Sequence, residues 1–229
     1  LLRELLLSSD LHVVLVEADA EKVRALRDEL VAAGLYGRRA AVIQAEPATF
    51  AVQPYLFSIV ASENVAAAGI EPDQATLAHL LDRLRPYGGV AYLGSRTRRL
   101  AALCDAAAAA QVDQVQVTQG ERAVLARRGG PLTGAGQWTH QYADAANTTC
   151  GDDTRVKAPF LILWFGNPGP KDMPNRHQRA AAPLSLDGRL FIEGENTLMA
   201  YDAYNGVKLW QREIPGAIRL GVFYESGNM

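Results

Sequence analysis

The sequence predicts an α/β domain built on a parallel sheet, followed by an all-β segment of short strands. Three observations predict it. In residues 1–127, apolar strand-length runs alternate with helical patterns of ten or more residues. A break rich in glycine, Arg127-Arg-Gly-Gly-Pro-Leu-Thr-Gly-Ala-Gly136, follows. Beyond it the long helical patterns stop, and short apolar runs are bounded by turn residues such as Asp187-Gly188 and Asn205-Gly206.

The elements of the first half follow in order. Leu1, Leu2, Leu5 and Leu6 have helical spacing, so the chain opens inside a helical pattern; no basic region or small-residue cleavage site marks a signal peptide. Residues 12–16 form a continuous apolar run, the mark of a buried parallel strand, which ends at Glu17-Ala18-Asp19. A helix is expected over 20–33, with Asp19 as its N-cap, Val23, Leu26, Leu30 and Val31 on its inner face, and Gly34 as its stop. Strands follow at 40–44 and 57–61, the second ending at Ser62-Glu63-Asn64. The helix at 73–84 carries Leu77, Leu80, Leu81 and Leu84, and Arg85-Pro86-Tyr87-Gly88-Gly89 breaks it. A strand at 90–93, an alanine-rich helix at 96–110 and a hairpin of 112–118 with 122–126 complete the domain.

In the second half, 161–165 (Leu-Ile-Leu-Trp-Phe) reads as a buried strand. Strands at 182–186, 189–193, 197–201 and 207–213 form one four-stranded antiparallel unit, with Asn205-Gly206 expected in a type I′ turn. Asp202 is placed to bond backbone amides in that turn, and Trp210 offers a large apolar face to a neighbouring sheet.

Composition narrows the function classes. The 229 residues are 48% hydrophobic and 21% charged, as in a folded globular protein, with a formal net charge of -2. That charge gives no reason to expect nucleic-acid binding. No apolar run reaches the roughly 18 residues of a membrane helix. Cys104 and Cys150 lie far apart and read as free thiols, and no His, Cys or Asp grouping has metal-ligand spacing. The compartment is left open between cytoplasm and periplasm. Arg176-His177-Gln178-Arg179 reads as a solvated loop rather than an anion site, and His140 as a packing or turn residue.

The first half resembles the class I S-adenosylmethionine-dependent methyltransferases from their second strand onward. Glu17 ends the strand that corresponds to the family's second; Ala45-Glu46-Pro47 follows the third; Leu84-Arg85-Pro86-Tyr87-Gly88-Gly89 precedes the fifth; a hairpin closes the sheet. The resemblance covers residues 1–127 and implies a Rossmann-like fold with an N-terminally incomplete sheet. Its first strand and glycine-rich loop have no counterpart here. It further implies S-adenosylmethionine as cofactor of the full-length protein, with Glu17 accepting the ribose hydroxyls, Glu46 beside the adenine amino group, and Glu63 with Asn64 facing the methyl acceptor. Glu17 also suits the plain role of an acid favoured by a helix dipole.

The second half resembles the quinoprotein-type β-propellers, whose PQQ-like repeat reads Ala-x-Asp-x-x-Thr-Gly-x-x-x-Trp. Here Ala200, Asp202, Gly206 and Trp210 match, and Asn205 stands in place of Thr. Trp138, Tyr142, Asp144, Asn147 and Thr148 are similar to the opening of such propellers. The resemblance covers residues 138–229 after a linker at 128–137, and implies one complete blade. Propellers close with about 4–8 blades, so the remaining blades are expected beyond Met229, and one blade gives no support for PQQ as a cofactor.

The expectation is therefore a fragment of a fusion protein, inactive by itself, whose full-length form transfers a methyl group to an unnamed small molecule or protein. The alternatives are a non-catalytic propeller scaffold and a quinone-dependent oxidoreductase. The catalytic residues are not named by the sequence.

Overall fold

The computed structural model describes residues 1–96, 100–168 and 182–215. Two compact units make up the chain. The first joins Leu1–Gln53, Ser58–Leu84 and Val90–Arg127; the second joins Pro54–Phe57, Arg85–Gly89 and Arg128–Met229.

The first unit holds α1 (Leu2–Ser8), β1 (Val13–Glu17), α2 (Ala20–Ala32), β2 (Ala40–Gln44), β3 (Ile59–Ser62), α3 (Gln74–Asp82), β4 (Val90–Gly94), α4 (Leu100–Ala109), β5 (Val115–Gln119) and β6 (Ala123–Arg128). The strands lie in two sheets. β1 pairs with β2 in parallel, from Val13↔Ala40 to Glu17↔Gln44. The other sheet has the order β3-β4-β6-β5, with β3 parallel to β4 and β6 antiparallel to β4. These elements follow the expected order, and the bounds move by a few residues.

Local chemistry explains the helix ends. Asp19 caps α2, accepting from the amides of Glu21 at 2.9 Å and Lys22 at 3.2 Å. At the other end Gly34, at φ +66°, lets the Leu35 amide reach Leu30 O and its own amide reach Val31 O, a Schellman closure. Val23, Leu26 and Leu30 pack on Val13, Leu15, Ala40 and Val42 with Leu2 and Leu6 of α1. Val31, expected on that face, is exposed, because eight residues beyond Val23 the helix has turned off the apolar stripe. Arg39, just ahead of β2, donates to the carbonyls of Leu6, Ser9 and Leu11 and fixes the end of α1 at the amino end of β1.

The second core joins Leu77, Leu81 and Leu84 to Leu103 and Ala107 of α4 and to Ala91, Leu93, Val124 and Ala126 of the sheet. Asp73 caps α3 through the Thr76 amide at 2.9 Å. The registers Ala61↔Tyr92 and Tyr92↔Leu125 put those residues on the sheet's other face, and Ile59, Tyr92 and Leu125 are exposed there.

The second unit is organised on β7 (Leu184–Leu186), β8 (Arg189–Gly194), β9 (Thr197–Asp202) and β10 (Lys208–Glu213), an antiparallel sheet in the order β10-β9-β8-β7. This is the four-stranded unit read from the sequence; among the described residues there is one such sheet and no closed propeller. Trp138 adds a bridge outside β7, exchanging backbone hydrogen bonds with Ser185 at 2.9 and 2.8 Å. Met199 and Tyr201 are fully buried in this unit, with Ile192 packed beside them.

Two expectations are corrected. At Asn205-Gly206 only Gly206 has positive φ, so the turn is not type I′. Instead the loop runs from Asp202 to Val207, whose carbonyl accepts the Asp202 amide at 2.8 Å. Asp187-Gly188, between β7 and β8, has positive φ at both positions, 48° and 70°. Residues 161–165 are not a buried strand: they have no ladder partner, and Phe165 is 97% exposed. A five-residue apolar run fixes a strand only when a neighbouring edge receives it. Trp164 alone is docked, its indole donating to Ala203 O at 2.9 Å. Residues 176–179 lie outside the described residues.

Leu81→Ala empties a fully buried site between α3 and the sheet and should cost about 3 kcal/mol. Val31→Ala, at an exposed position, should stay within about 0.5 kcal/mol. Urea denaturation of both variants checks the ranking.

Candidate functional site

Parallel strands with helical crossovers place their carboxyl ends along one edge, and ligands of open α/β sheets bind there. Three of the expected site residues follow strand ends. Glu17 is the last residue of β1, Glu46 stands two residues after β2, and Glu63 follows β3 directly.

The helix α1 relates the two sheets. Its last turn lies at the amino end of β1, held by Arg39, and a seven-residue helix runs about 10 Å. It packs along β1, so Leu1 stands toward the Glu17 end. The Leu1 nitrogen is 3.5 Å from Glu63 Oε1. Glu17 and Glu63 therefore belong to one edge, the carboxyl edge of both parallel pairs.

The carboxylates are not equivalent. Glu17 is partly buried; its Oε1 accepts the Asp19 amide at 3.0 Å, and Oε2 faces Lys22 Nζ at 3.8 Å. Lys22 is well exposed, so this pair contributes little. Glu46 and Glu63 are exposed. The carboxyl of Asp19 is held below the usual range by the Lys22 and Glu21 amides that it caps, which leaves it occupied as a cap and Glu17 as the carboxylate with an oxygen to offer.

Two further features mark this edge, at Asn64 and at Gly94, of which only Gly94 was not singled out by the sequence. Asn64 Oδ1 is buried with no hydrogen-bond donor, a costly state for an amide oxygen. Gly94 ends β4 where a Cβ would come within 2.5 Å of Glu63 O and 2.8 Å of Ser62 O. Only glycine lets the end of β3 lie so close, and the Val65 amide then bonds Gly94 O at 2.9 Å. A glycine closing the run Val-Ala-Tyr-Leu is the signal that could have marked this approach. Beside it, Val65, Ile70, Ser95 and Leu103 line a hollow of about 20 Å³, room for about one water.

The second unit has a polar cluster of its own. Asp202 is buried, and its Oδ1 accepts the amides of Tyr204 at 2.9 Å and Asn205 at 3.2 Å, the turn role expected of it. Its Oδ2 meets Arg85 Nη1 at 2.8 Å. Asn205 donates to Leu56 O at 3.3 Å. Arg128 is 1% exposed and lies 4.8 Å over the Tyr55 ring, which meets Tyr204 edge-on at 5.6 Å. Arg155 donates to the Tyr55 hydroxyl at 3.0 Å. Burial, then the neighbouring Tyr87 and Tyr55, push the Tyr204 phenol up to about 12. Trp210 is 36% exposed and 6.1 Å from Phe191. Among the described residues no cluster of His, Cys, Asp and Glu could hold a metal, and no helix is long and apolar enough to cross a membrane.

No protein-family profile matches the sequence, and no curated protein matches it. Among solved structures, a proposed sarcosine dimethylglycine methyltransferase from Galdieria sulphuraria is similar over 52% of this chain and 51% of its own, with 11% identity and a TM-score of 0.43. The [4+2]-cyclase SpnF is similar over 52% and 48%, with 12% identity and a TM-score of 0.42. A proposed S-adenosyl-L-methionine-dependent methyltransferase from Methanococcus maripaludis is similar over 55% and 69%, with 10% identity and a TM-score of 0.41. The chain thus spans about half the length of the first two. Likenesses this slight assign no activity.

The Tyr204 phenol has a pKa raised above its ordinary 10.0, so its contribution to stability is complete below pH 10 and is lost as pH rises toward about 12. Alkaline unfolding followed by circular dichroism should show this loss, and Tyr204→Phe should reduce it.

Proposed function

We propose that the first unit is the greater part of an S-adenosylmethionine-dependent methyltransferase module, and that β7–β10 are one blade of a PQQ-like propeller in the same polypeptide. The observation that carries the first reading is the shared carboxyl edge, with Glu17 and Glu63 at the ends of parallel strands β1 and β3. The acceptor chemistry of the edge fits the cofactor: a ribose offers two hydroxyl donors, and the Glu17 carboxylate offers acceptors for them. When bound, the cofactor supplies an electrophilic methyl on a sulfonium.

The residues then divide the work. Glu17 takes the ribose diol, giving up its weak pairing with Lys22 while Oε1 keeps the Asp19 amide. Glu46, after β2, stands on the adenine side. Glu63 and Asn64 lie next to Gly94 and face the acceptor, whose alignment with the methyl is the main catalytic contribution. Glu63 is exposed and can take a proton if the acceptor must lose one. For the second unit, support comes from the matched Ala200, Asp202, Gly206 and Trp210 positions and the antiparallel order around them. The methyl acceptor and any partner of the blade are left unspecified by these residues.

Equilibrium titration with S-adenosylmethionine tests the reading. The 229-residue chain should bind weakly or not at all. A polypeptide carrying a strand and glycine-rich loop ahead of Leu1 should bind saturably, and Glu17→Ala in it should weaken binding about tenfold or more. Unchanged affinity on removal of the Glu17 carboxylate would refute its ribose role.

A further inference from the structure

We infer that the outer edge of β2 is a pairing surface for β2 of a second copy of this chain, and that Arg27 is the latch that holds it closed. The inference stands apart from the methyl-transfer reading, and its readout involves no cofactor.

The ladder with β1 fixes which backbone groups of β2 are engaged. The Val13 amide donates to Arg39 O, and the Ala45 amide donates to Glu17 O. Along a strand, successive residues direct their amide and carbonyl to opposite sides. Residues 39, 41, 43 and 45 therefore bond β1, and the amides and carbonyls of Ala40, Val42 and Gln44 point outward. No strand pairs with that side among the described residues. Such an edge is a template for another chain, and edge strands are usually guarded by charge, proline or a bulge. β2 has none of these. Ala40-Ala41-Val42-Ile43-Gln44 is uncharged and lacks proline, and its register runs unbroken from Val13↔Ala40 to Glu17↔Gln44.

The guard comes from outside the strand. The turn after α2 covers Ala40, whose amide donates to Leu35 O at 3.1 Å and whose carbonyl accepts from Gly37 at 2.8 Å. Arg27 of α2 covers Val42. Its Nε and Nη2 both donate to Val42 O, at 3.1 and 2.8 Å, so a half-buried guanidinium lies along the edge. The Val42 amide and both backbone groups of Gln44 make no hydrogen bond with the described residues. These groups fit a second β2 running antiparallel, with a twofold axis at Ile43. In that register the Gln44 amide of each copy donates to Val42 O of the other, the acceptor that Arg27 occupies. No like charges meet across the pair. A two-stranded sheet is marginal by itself, and the pairing would join both copies in one larger sheet.

The test is sedimentation velocity on the whole chain, with circular dichroism to confirm that each variant keeps its helices. Arg27→Met deletes the donors and keeps an aliphatic stem; Arg27→Ala deletes both. Each should lower the dimer dissociation constant about tenfold or more relative to the unmodified chain. Adding Gln44→Pro removes an outward amide without touching the β1 ladder, and should return association to the unmodified level. The register has its own readout, with Cys104 and Cys150 replaced by serine. Directly opposed residues without mutual hydrogen bonds have Cα atoms about 4.5 Å apart, within reach of a disulfide. Ile43→Cys should therefore cross-link two copies in the Arg27→Ala background, and Ala41→Cys should not. Unchanged association in both Arg27 variants, association of Arg27→Met alone, association that survives Gln44→Pro, or equal cross-linking at residues 41 and 43 overturns the inference. Loss of the helical signal in both Arg27 variants also overturns it, because Arg27 would then hold the fold rather than the edge.

Discussion

The constraint on which the first unit depends is the pairing requirement of parallel strands. A parallel ladder forms only across a helical crossover and leaves backbone groups to be satisfied on both sides of each strand. In this chain α2 and α3 each make such a crossover, and the results are two sheets, β1-β2 and β3-β4-β6-β5, in which β1 and β3 are edge strands among the described residues. The other features of the carboxyl edge follow from that arrangement. Glu17 and Glu63 come to one side because both pairs are parallel and α1 spans from one to the other. Gly94 is required because β3 and β4 close together where Glu63 leaves the sheet.

The second unit is governed by a different interaction, the burial of Asp202. One carboxylate oxygen satisfies two turn amides and the other meets Arg85, so a charge almost without solvent contact is fully engaged. Such a pair is strongly destabilised when one partner is removed, by about 3–5 kcal/mol in buried cases. Around it, Asn205, Tyr204, Tyr55 and Arg128 form a polar and aromatic cluster in which two sequence-distant pieces, Pro54–Phe57 and Arg85–Gly89, take part.

Periodicity made much of this legible. The helical stripes of α2 and α3, the cap Asp19, and the four strands β7–β10 all follow from patterns within about fifteen residues. The carboxylates at strand ends were legible for the same reason, since a strand's end is a local feature. Asp202 was legible as a turn residue, but its Arg85 partner was not, because the two are 117 residues apart. Arg128 read as the start of a linker and is buried under no local rule; its place depends on Tyr55. Residues 161–165 failed for the opposite reason: their composition is that of a strand, and composition does not supply a neighbour. Asn64 could be placed at the edge, while its lack of a donor required atomic packing.

Glu17 and Glu63 share one carboxyl edge in this account. Spin labels introduced by Glu17→Cys and Glu63→Cys, with Cys104 and Cys150 replaced by serine, measure it directly. On one edge the two backbones lie within a few strand spacings of about 5 Å each, so the doubly labelled protein should show dipolar broadening in its frozen continuous-wave spectrum. A spectrum equal to the sum of the two singly labelled proteins would place the carboxylates at opposite ends of the sheets and contradict the account.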